Sequence, residues 1–420
     1  MAQAFCCSSP ILASYRFAHT YLQLQQKGTF RLSLVVSTMK DKAIEGPHTV
    51  IAGTYDGALV GFRSDSGEQI FGYNVHTGCV KATHCSKAGR LASGGTDQAV
   101  RLFDLAQGIE IGDLQEHEDN VVCVEFWRST TLVTGGADGQ ICVWRCGDWE
   151  LLLKFKAHKS SLSSIAIHPS GRMMATIGRD RSIRLWDLTR GTSAAVVPCE
   201  EAYEDLFWSP SGSHLGGLAT SAVSITDISG GGTPMTFVDP ASSSLMKVPM
   251  NAAIFLRQSE VLVGDGKGLL RVFGVDAKKK CIKEVCRLED DSNRIRIKAI
   301  ARPAEGQEVE AGSHLPFVVG TTSGRVELWH FTAPGTSSTA AAASQFKRLR
   351  VVETGCRLTT LALWPGLAKV AKLAGEDDED EELFEEGEEE EENEEDPEVE
   401  EEEEVEEPQA AAQPNKRRRK

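Results

Sequence analysis

A histidine, a hydroxyl residue, an aspartate and an aromatic residue recur in this chain at fixed offsets. In one stretch they are His117, Thr134, Asp138 and Trp144; in the next, 41 or 42 residues on, His158, Thr176, Asp180 and Trp186; before both, His76, Ser93, Asp97 and Phe103. An imidazole between a carboxylate and a hydroxyl is the arrangement that activates a nucleophile. Its recurrence argues against that use, because an active site is needed once. The same groups can instead satisfy one another: a carboxylate accepts from an imidazole N–H, the imidazole bonds the hydroxyl, and the hydroxyl meets the indole N–H. Such a network keeps buried polar groups paired and pins a tight turn. The expected role of His76, Ser93, Asp97, His117, Thr134, Asp138, Trp144, His158, Thr176, Asp180 and Trp186 is therefore structural, with no catalytic residue, cofactor or metal among them.

The elements that position these groups follow from the repeat. Asp56, Asp97, Asp138 and Asp180 share one local frame, an apolar run on each side and an aromatic residue six positions later (Phe62, Phe103, Trp144, Trp186). Runs of four to seven residues rich in Val, Ile, Leu and aromatics, bounded by Gly, Asp and Ser, read as strands. His168-Pro169-Ser170-Gly171 and Ser209-Pro210-Ser211-Gly212 read as type I turns. No long stretch has helical period. A period near 40 with a Trp-Asp ending predicts propeller blades. Seven units are countable, their second and third runs near 50–62, 91–105, 132–146, 173–188, 214–228, 261–275 and 317–331. The first lacks an inner run, and 358–364 is expected to supply it and close the ring. The units without a good preceding histidine, the fifth to seventh, are expected to rely on apolar packing. Gly264-Asp265-Gly266-Lys267-Gly268 matches no phosphate-loop spacing and reads as a strand turn.

Charge is unevenly spread. Of the 420 residues, 41% are hydrophobic and the net charge is −16, but residues 376–407 hold 25 acidic side chains out of 32 and no basic one. Lys416, Arg417, Arg418, Arg419 and Lys420 are all basic, which leaves 40 basic and 36 acidic residues in 1–375. The expected organisation is an N-terminal extension over 1–45, a propeller over 46–366 and a disordered acidic tail with a basic end over 367–420. Carboxylates at that density repel phosphate, so the tail argues against direct nucleic-acid binding through it. It suits either the shielding of a basic partner or simple solubilisation. Lys416–Lys420 reads as a nuclear localisation patch. It competes with residues 1–38, which carry no acid and three basic residues and read either as a transit-like segment or as an unstructured extension before a start at Met39. The 11 cysteines form no Cys-x-x-Cys pair and read as buried reduced thiols. No run of 18 apolar residues is present, so no membrane span is expected.

The frames SIRLWDL, ending in Trp186-Asp187, and ICVW resemble the WD40 repeat family, which implies an all-β, seven-bladed WD40 β-propeller. Over roughly 48–366 a longer pattern, GGADGQICVWRCGDWELLLKFKAHKSSLSSIAIHPSGR with RDRSIRLWDLTRG, WSPSG and the closing Arg357-Leu358-Thr359-Thr360-Leu361, resembles the PAK-interacting WD40 proteins and their yeast nucleolar relative in large-subunit ribosome assembly. That resemblance implies a non-catalytic scaffold in nucleolar assembly of the large (60S) subunit. Its partners would be basic ribosomal proteins or pre-60S assembly factors, in the nucleus and nucleolus. Family members usually end in a lysine-rich tail, and this one is mostly glutamate, which puts tail-dependent rRNA binding in doubt. The alternatives are a signalling scaffold that restrains a p21-activated-type protein kinase and a ubiquitin-ligase substrate adaptor. The adaptor signature Trp-Asp-x-Arg is one residue shorter than Trp186-Asp187-Leu188-Thr189-Arg190.

Overall fold

The computed structural model describes residues 48–199, 201–228, 235–238, 248–276, 281–288, 295–303, 314–332 and 346–366. Every described residue lies in one compact unit within Met1–Glu379. The N-terminal extension (1–45), the acidic tail (367–420) and the patch Lys416–Lys420 lie outside the described residues.

Among the described residues, alternating apolar runs and Gly/Asp turns build 28 strands in seven antiparallel sheets of four. This is a seven-bladed β-propeller. Blades 2 to 7 occupy 80–114, 121–156, 162–198, 203–238, 250–288 and 297–353, each strand pairing with the next in sequence. Blade 1 takes three strands from 49–74. Its inner strand, Leu358–Trp364, comes from the far end of the unit and pairs with Thr49–Thr54 in the register Thr49↔Trp364, Ile51↔Ala362. The Thr360 hydroxyl meets that of Thr83 at 3.1 Å, tying this strand to blade 2.

Burial falls off from the second strand outward. Thr131–Gly136 is buried at all six positions, whereas the outermost strand of blade 4, Thr192–Pro198, is exposed at all but one. The core lies between neighbouring sheets. Val133, Ile141 and Val143 of blade 3 pack on Leu162, Ile165, Met174 and Trp186 of blade 4. Val50 and Val60 of blade 1 pack on Val318, Val326 and Leu328 of blade 7. Burying each such side chain is worth about 1.5–3 kcal/mol, so blade-to-blade contact is the main source of stability. Aromatics also lock neighbours by sitting where a side chain is missing: Trp364 rests on Gly89, at 3.0 Å from where a Cβ would stand.

One irregularity is common to all seven inner strands. Each carries a register shift one step in, at Val80/Ala82, Val121/Cys123, Leu162/Ser164, Tyr203/Asp205, Met250/Ala252 and Ile297/Ala299, and in blade 1 opposite Gly53/Thr54. A bulge of this kind leaves one residue unpaired and re-aims its side chain.

Candidate functional site

The recurring polar residues come together at the turn between the second and third strands of blades 2, 3 and 4. In blade 4, His158 Nδ1 lies 3.0 Å from Asp180, its Nε2 lies 2.8 Å from Thr176 Oγ1, and Trp186 Nε1 lies 3.0 Å from the same oxygen. Blade 3 repeats this with His117–Asp138 at 3.3 Å, His117–Thr134 at 2.9 Å and Trp144–Thr134 at 3.1 Å. Blade 2 has His76–Asp97 at 2.8 Å and His76–Ser93 at 2.9 Å, with Phe103 in place of an indole.

The direction of these bonds follows from the donors. An indole N–H can only donate, so the threonine oxygen accepts from it and gives its own proton to His Nε2. The imidazole is then neutral, with its proton on Nδ1 directed at the aspartate. Burial, which lowers the pKa of His117 and His158, favours that state, and Asp138 and Asp180 offset it only in part. Burial alone would raise the Asp180 pKa. Bonds from the Ser182 hydroxyl, His158 and the Lys159 N–H outweigh it and hold the carboxylate ionised. Asp97 is held low in the same way, by His76 and the N–H groups of Thr77 and Ala99 against burial. Ser93, Thr134 and Thr176 are fully buried. A hydroxyl so enclosed, already accepting from an indole in two of the three cases, has no path to a substrate. The arrangement can hold a turn; it has no route to acyl or phosphoryl transfer.

A glycine makes room for each imidazole. A Cβ on Gly136 would stand 2.6 Å from His117 Nδ1, and one on Gly178 would stand 2.7 Å from the His158 ring. In the blades that lack the histidine, this strand-end position carries a side chain: Thr54, Ala219, Asp265 and Thr321. Three of these cap the turn themselves. Thr54 Oγ1 accepts from the Ala58 N–H at 2.9 Å, Asp265 Oδ1 from Lys267 and Leu269 at 2.8 and 2.9 Å, and Thr321 Oγ1 from Arg325 at 3.2 Å. Blade 7 adds a bond from Trp329 Nε1 to Glu327 at 3.0 Å, with Arg325 on the other carboxylate oxygen.

The expectation that blades 5 to 7 rely on apolar packing therefore holds only for blade 5. Blades 6 and 7 carry buried polar networks of different composition, because a side chain at the strand end can reach the turn N–H groups that the histidine-linked aspartate serves elsewhere. Asp56 shares the frame of Asp97 but is exposed. The imidazole position of blade 1 is filled by buried Thr354, whose hydroxyl donates to Gly324 O at 2.8 Å.

Further buried polar groups, outside the His/Asp pattern of the sequence, link neighbouring inner strands. His84 Nδ1 accepts from the Phe126 N–H at 3.0 Å, Glu125 from Ile167 at 3.1 Å, and Ser164 bridges the Leu206 N–H and Asp205 at 3.2 and 2.7 Å. Burial raises the Glu125 pKa to about 8 and lowers that of His84 to about 4. One polar residue in an apolar run looks like noise in a sequence. The signal was there as an offset of 41 between His84 and Glu125. Among the described residues no group of three or more His, Cys, Asp or Glu is placed to hold a metal, and no helix is long and apolar enough to cross a membrane.

Comparison with known proteins bears on the same blades. Residues 108–145 and 149–187 match the family model for the WD domain, G-beta repeat. Both stretches are similar to WD40 repeats. Each matched stretch holds the outermost strand of one blade and the inner three of the next, so the WD40 repeat and the blade are offset by a strand. The chain is 28% identical over 334 residues to the p21-activated protein kinase-interacting protein 1-like of Danio rerio, covering 78% of this chain and 83% of that protein. It is 27% identical over 258 residues to Shk1 kinase-binding protein 15 of Schizosaccharomyces pombe, 57% of this chain and 72% of that one. It is 26% identical over 144 residues to Protein MAK11 of Saccharomyces cerevisiae, 30% of this chain and 34% of that one.

Proposed function

We propose that this chain is a non-catalytic protein-interaction scaffold acting in nucleolar assembly of the large ribosomal subunit. The observation that carries the scaffold reading is the similarity over 78% of the chain to a protein named for the kinase it contacts, on a fold whose recurring polar residues are sealed into its turns. Rigid blades present loops at both ends of the ring and hold partners without chemistry. The nucleolar assignment draws on the sequence: the resemblance to a yeast large-subunit assembly factor, the basic patch Lys416–Lys420, and 25 carboxylates in 376–407 that favour basic ribosomal proteins over bare RNA.

A second reading, a signalling scaffold that restrains a p21-activated-type kinase, is favoured by the names of the relatives. A tagged pull-down from cells at moderate salt, read by proteomics, separates the two. Large-subunit proteins and pre-60S factors are the expected catch. A kinase complex free of ribosomal precursors overturns the nucleolar reading, and a catch no richer than that of an untagged control overturns the scaffold reading.

A further inference from the structure

The outermost strand of each blade ends its sheet, so one row of its backbone N–H and C=O groups has no ladder partner. Such an edge pairs with another chain unless it is charged, short or covered. The outer strands of blades 2, 3, 6 and 7 carry charge, among others Asp113, Lys154, Lys283 and Arg350. That of blade 5, Met235–Val238, has only four residues. In blade 1 the middle of the strand, Phe71–Tyr73, is half-buried, with its two rings stacked at 5.4 Å. Thr192–Pro198 of blade 4 has none of these safeguards. It is seven residues long, uncharged and exposed at six positions. Val196 and Val197, on opposite faces, are 53% and 49% exposed.

The Cys199 N–H turns inward, to Arg181 O at 2.9 Å. By strand alternation Val197 also bonds its own sheet, and the N–H and C=O of Val196 face outward. Pro198 has no N–H and closes the open row at one end. Val196 lies opposite Arg184, and Arg184 lies opposite Thr176. Blade 2 has the same arrangement with a different outcome. There Arg101 lies opposite Ser93 and Asp113, and its Nη1 is 3.9 Å from Asp113 and 3.7 Å from Glu110 of the outer strand. Among the described residues Arg184 makes no such pair, and its Nε, like that of Arg101, is buried without a hydrogen bond. Asp180, the carboxylate of its own turn, is held by His158 at 3.0 Å and by the Ser182 hydroxyl at 2.9 Å. The ends of the strand carry both signs, Arg190 with Asp187 and Arg181 with Glu201. The charge left without a counter-charge beside its middle is Arg184.

We infer that Thr192–Pro198 accepts, as a fifth strand of blade 4, an extended segment of a partner protein in which carboxylates alternate with β-branched residues. Backbone bonds to the open row hold the segment, and alternate side chains select it. A carboxylate beside Val196 falls on the Arg184 face and supplies the charge that Asp113 supplies in blade 2. The next residue, beside Val197, falls on the other face, where a β-branched side chain packs best. A second copy of this chain is the poorer occupant. Antiparallel pairing of two such strands about Ala195 would set Val196 against Ala194, bring no carboxylate, and leave two Arg184 side chains on one face of a continuous sheet. The inference gives the scaffold a contact surface; it rests on that reading but not on the compartment.

The test uses the full chain and soluble peptides in which valine alternates with glutamate, glutamine or lysine. The glutamate peptide is expected to bind about tenfold tighter than the glutamine peptide, and the lysine peptide not at all. Binding should protect the Val196 amide from hydrogen exchange. Val196→Pro removes the outward N–H and leaves the blade's own ladder intact, so it should abolish binding at an unchanged melting temperature. Arg184→Gln should bring the glutamate and glutamine peptides to equal affinity, which a merely structural role of the arginine would not do. Should the proline variant melt early, exchange at the Val196 amide of the parent chain decides in its place. No binding of any peptide, binding that survives Val196→Pro, or a glutamate preference that survives Arg184→Gln overturns the proposal. So does a chain that dimerises with concentration and reverts in Val196→Pro, which would assign the edge to a second copy. Each of these failures leaves the cellular pull-down, and so the scaffold reading, standing on its own result.

Discussion

A buried threonine that accepts from an indole has one proton to give, and in blades 3 and 4 the imidazole takes it. The aspartate at the far end of that line also caps the turn: Asp138 accepts from the Gln140 N–H at 2.9 Å and Asp180 from Ser182 at 3.3 Å. Asp180→Ala leaves the His158 N–H and turn donors unpaired, and a loss of about 1–3 kcal/mol is expected, read as a lower melting temperature; an unchanged melt in both Asp138→Ala and Asp180→Ala refutes the network's structural role. The pH dependence divides by sign. His117 and His158 fold with pKa values below the ordinary 6.5, so their contribution is complete above that value and is lost as pH falls toward the folded pKa. Glu125 runs the other way. Its folded pKa of about 8 exceeds the ordinary 4.5, so its contribution is complete below about 4.5 and is lost as pH rises through 8. Glu125→Gln keeps an oxygen for the Ile167 N–H and removes the charge. Its melting temperature relative to the parent chain should therefore rise steadily between about pH 5 and pH 8. A pH-independent difference would show that Glu125 is not buried as an acid.

At the scale of the strand, the glycine before the turn and the histidine of the preceding loop are one device. Gly136 is glycine because His117 occupies the space of its Cβ, and where the histidine is missing Thr54, Asp265 or Thr321 uses that space to cap the turn. The two solutions should be interchangeable as pairs and not singly. Gly136→Thr alone is expected to destabilise blade 3 strongly, since the new Cβ meets the imidazole. His117→Ser with Gly136→Thr, which clears the imidazole from the space a threonine cap needs, should recover more than half of that loss in a double-mutant cycle. Additive losses would show that the two positions are independent. The strands themselves were readable: the seven pairs of runs found in the sequence match the second and third strands of every blade to within three residues. The polar solutions of blades 6 and 7 were not, because they use residues at positions the histidine pattern leaves to glycine.

At the scale of the molecule, the ring is joined by one strand. Leu358–Trp364 gives Leu358 and Leu361 to the core shared with blade 7 and Ala362 and Trp364 to the core shared with blade 2. A chain ending at Gly366 is expected to keep a single cooperative melt. One ending at Arg357 should lose it, because Thr49–Thr54 is left with an open edge and two apolar faces in water. Equal melting of the two would mean that the propeller does not depend on closure. The sequence by itself determined the strand content, the number of blades and the polar residues of three of them, since period, turn residues and hydrogen-bonding types are local properties. Only the tertiary structure decided which side chains meet across blades. It sets His84, Glu125 and Ser164 each against the backbone of the next inner strand. Those meetings depend on one bulge per strand, and a bulge leaves no local trace in the order of residues.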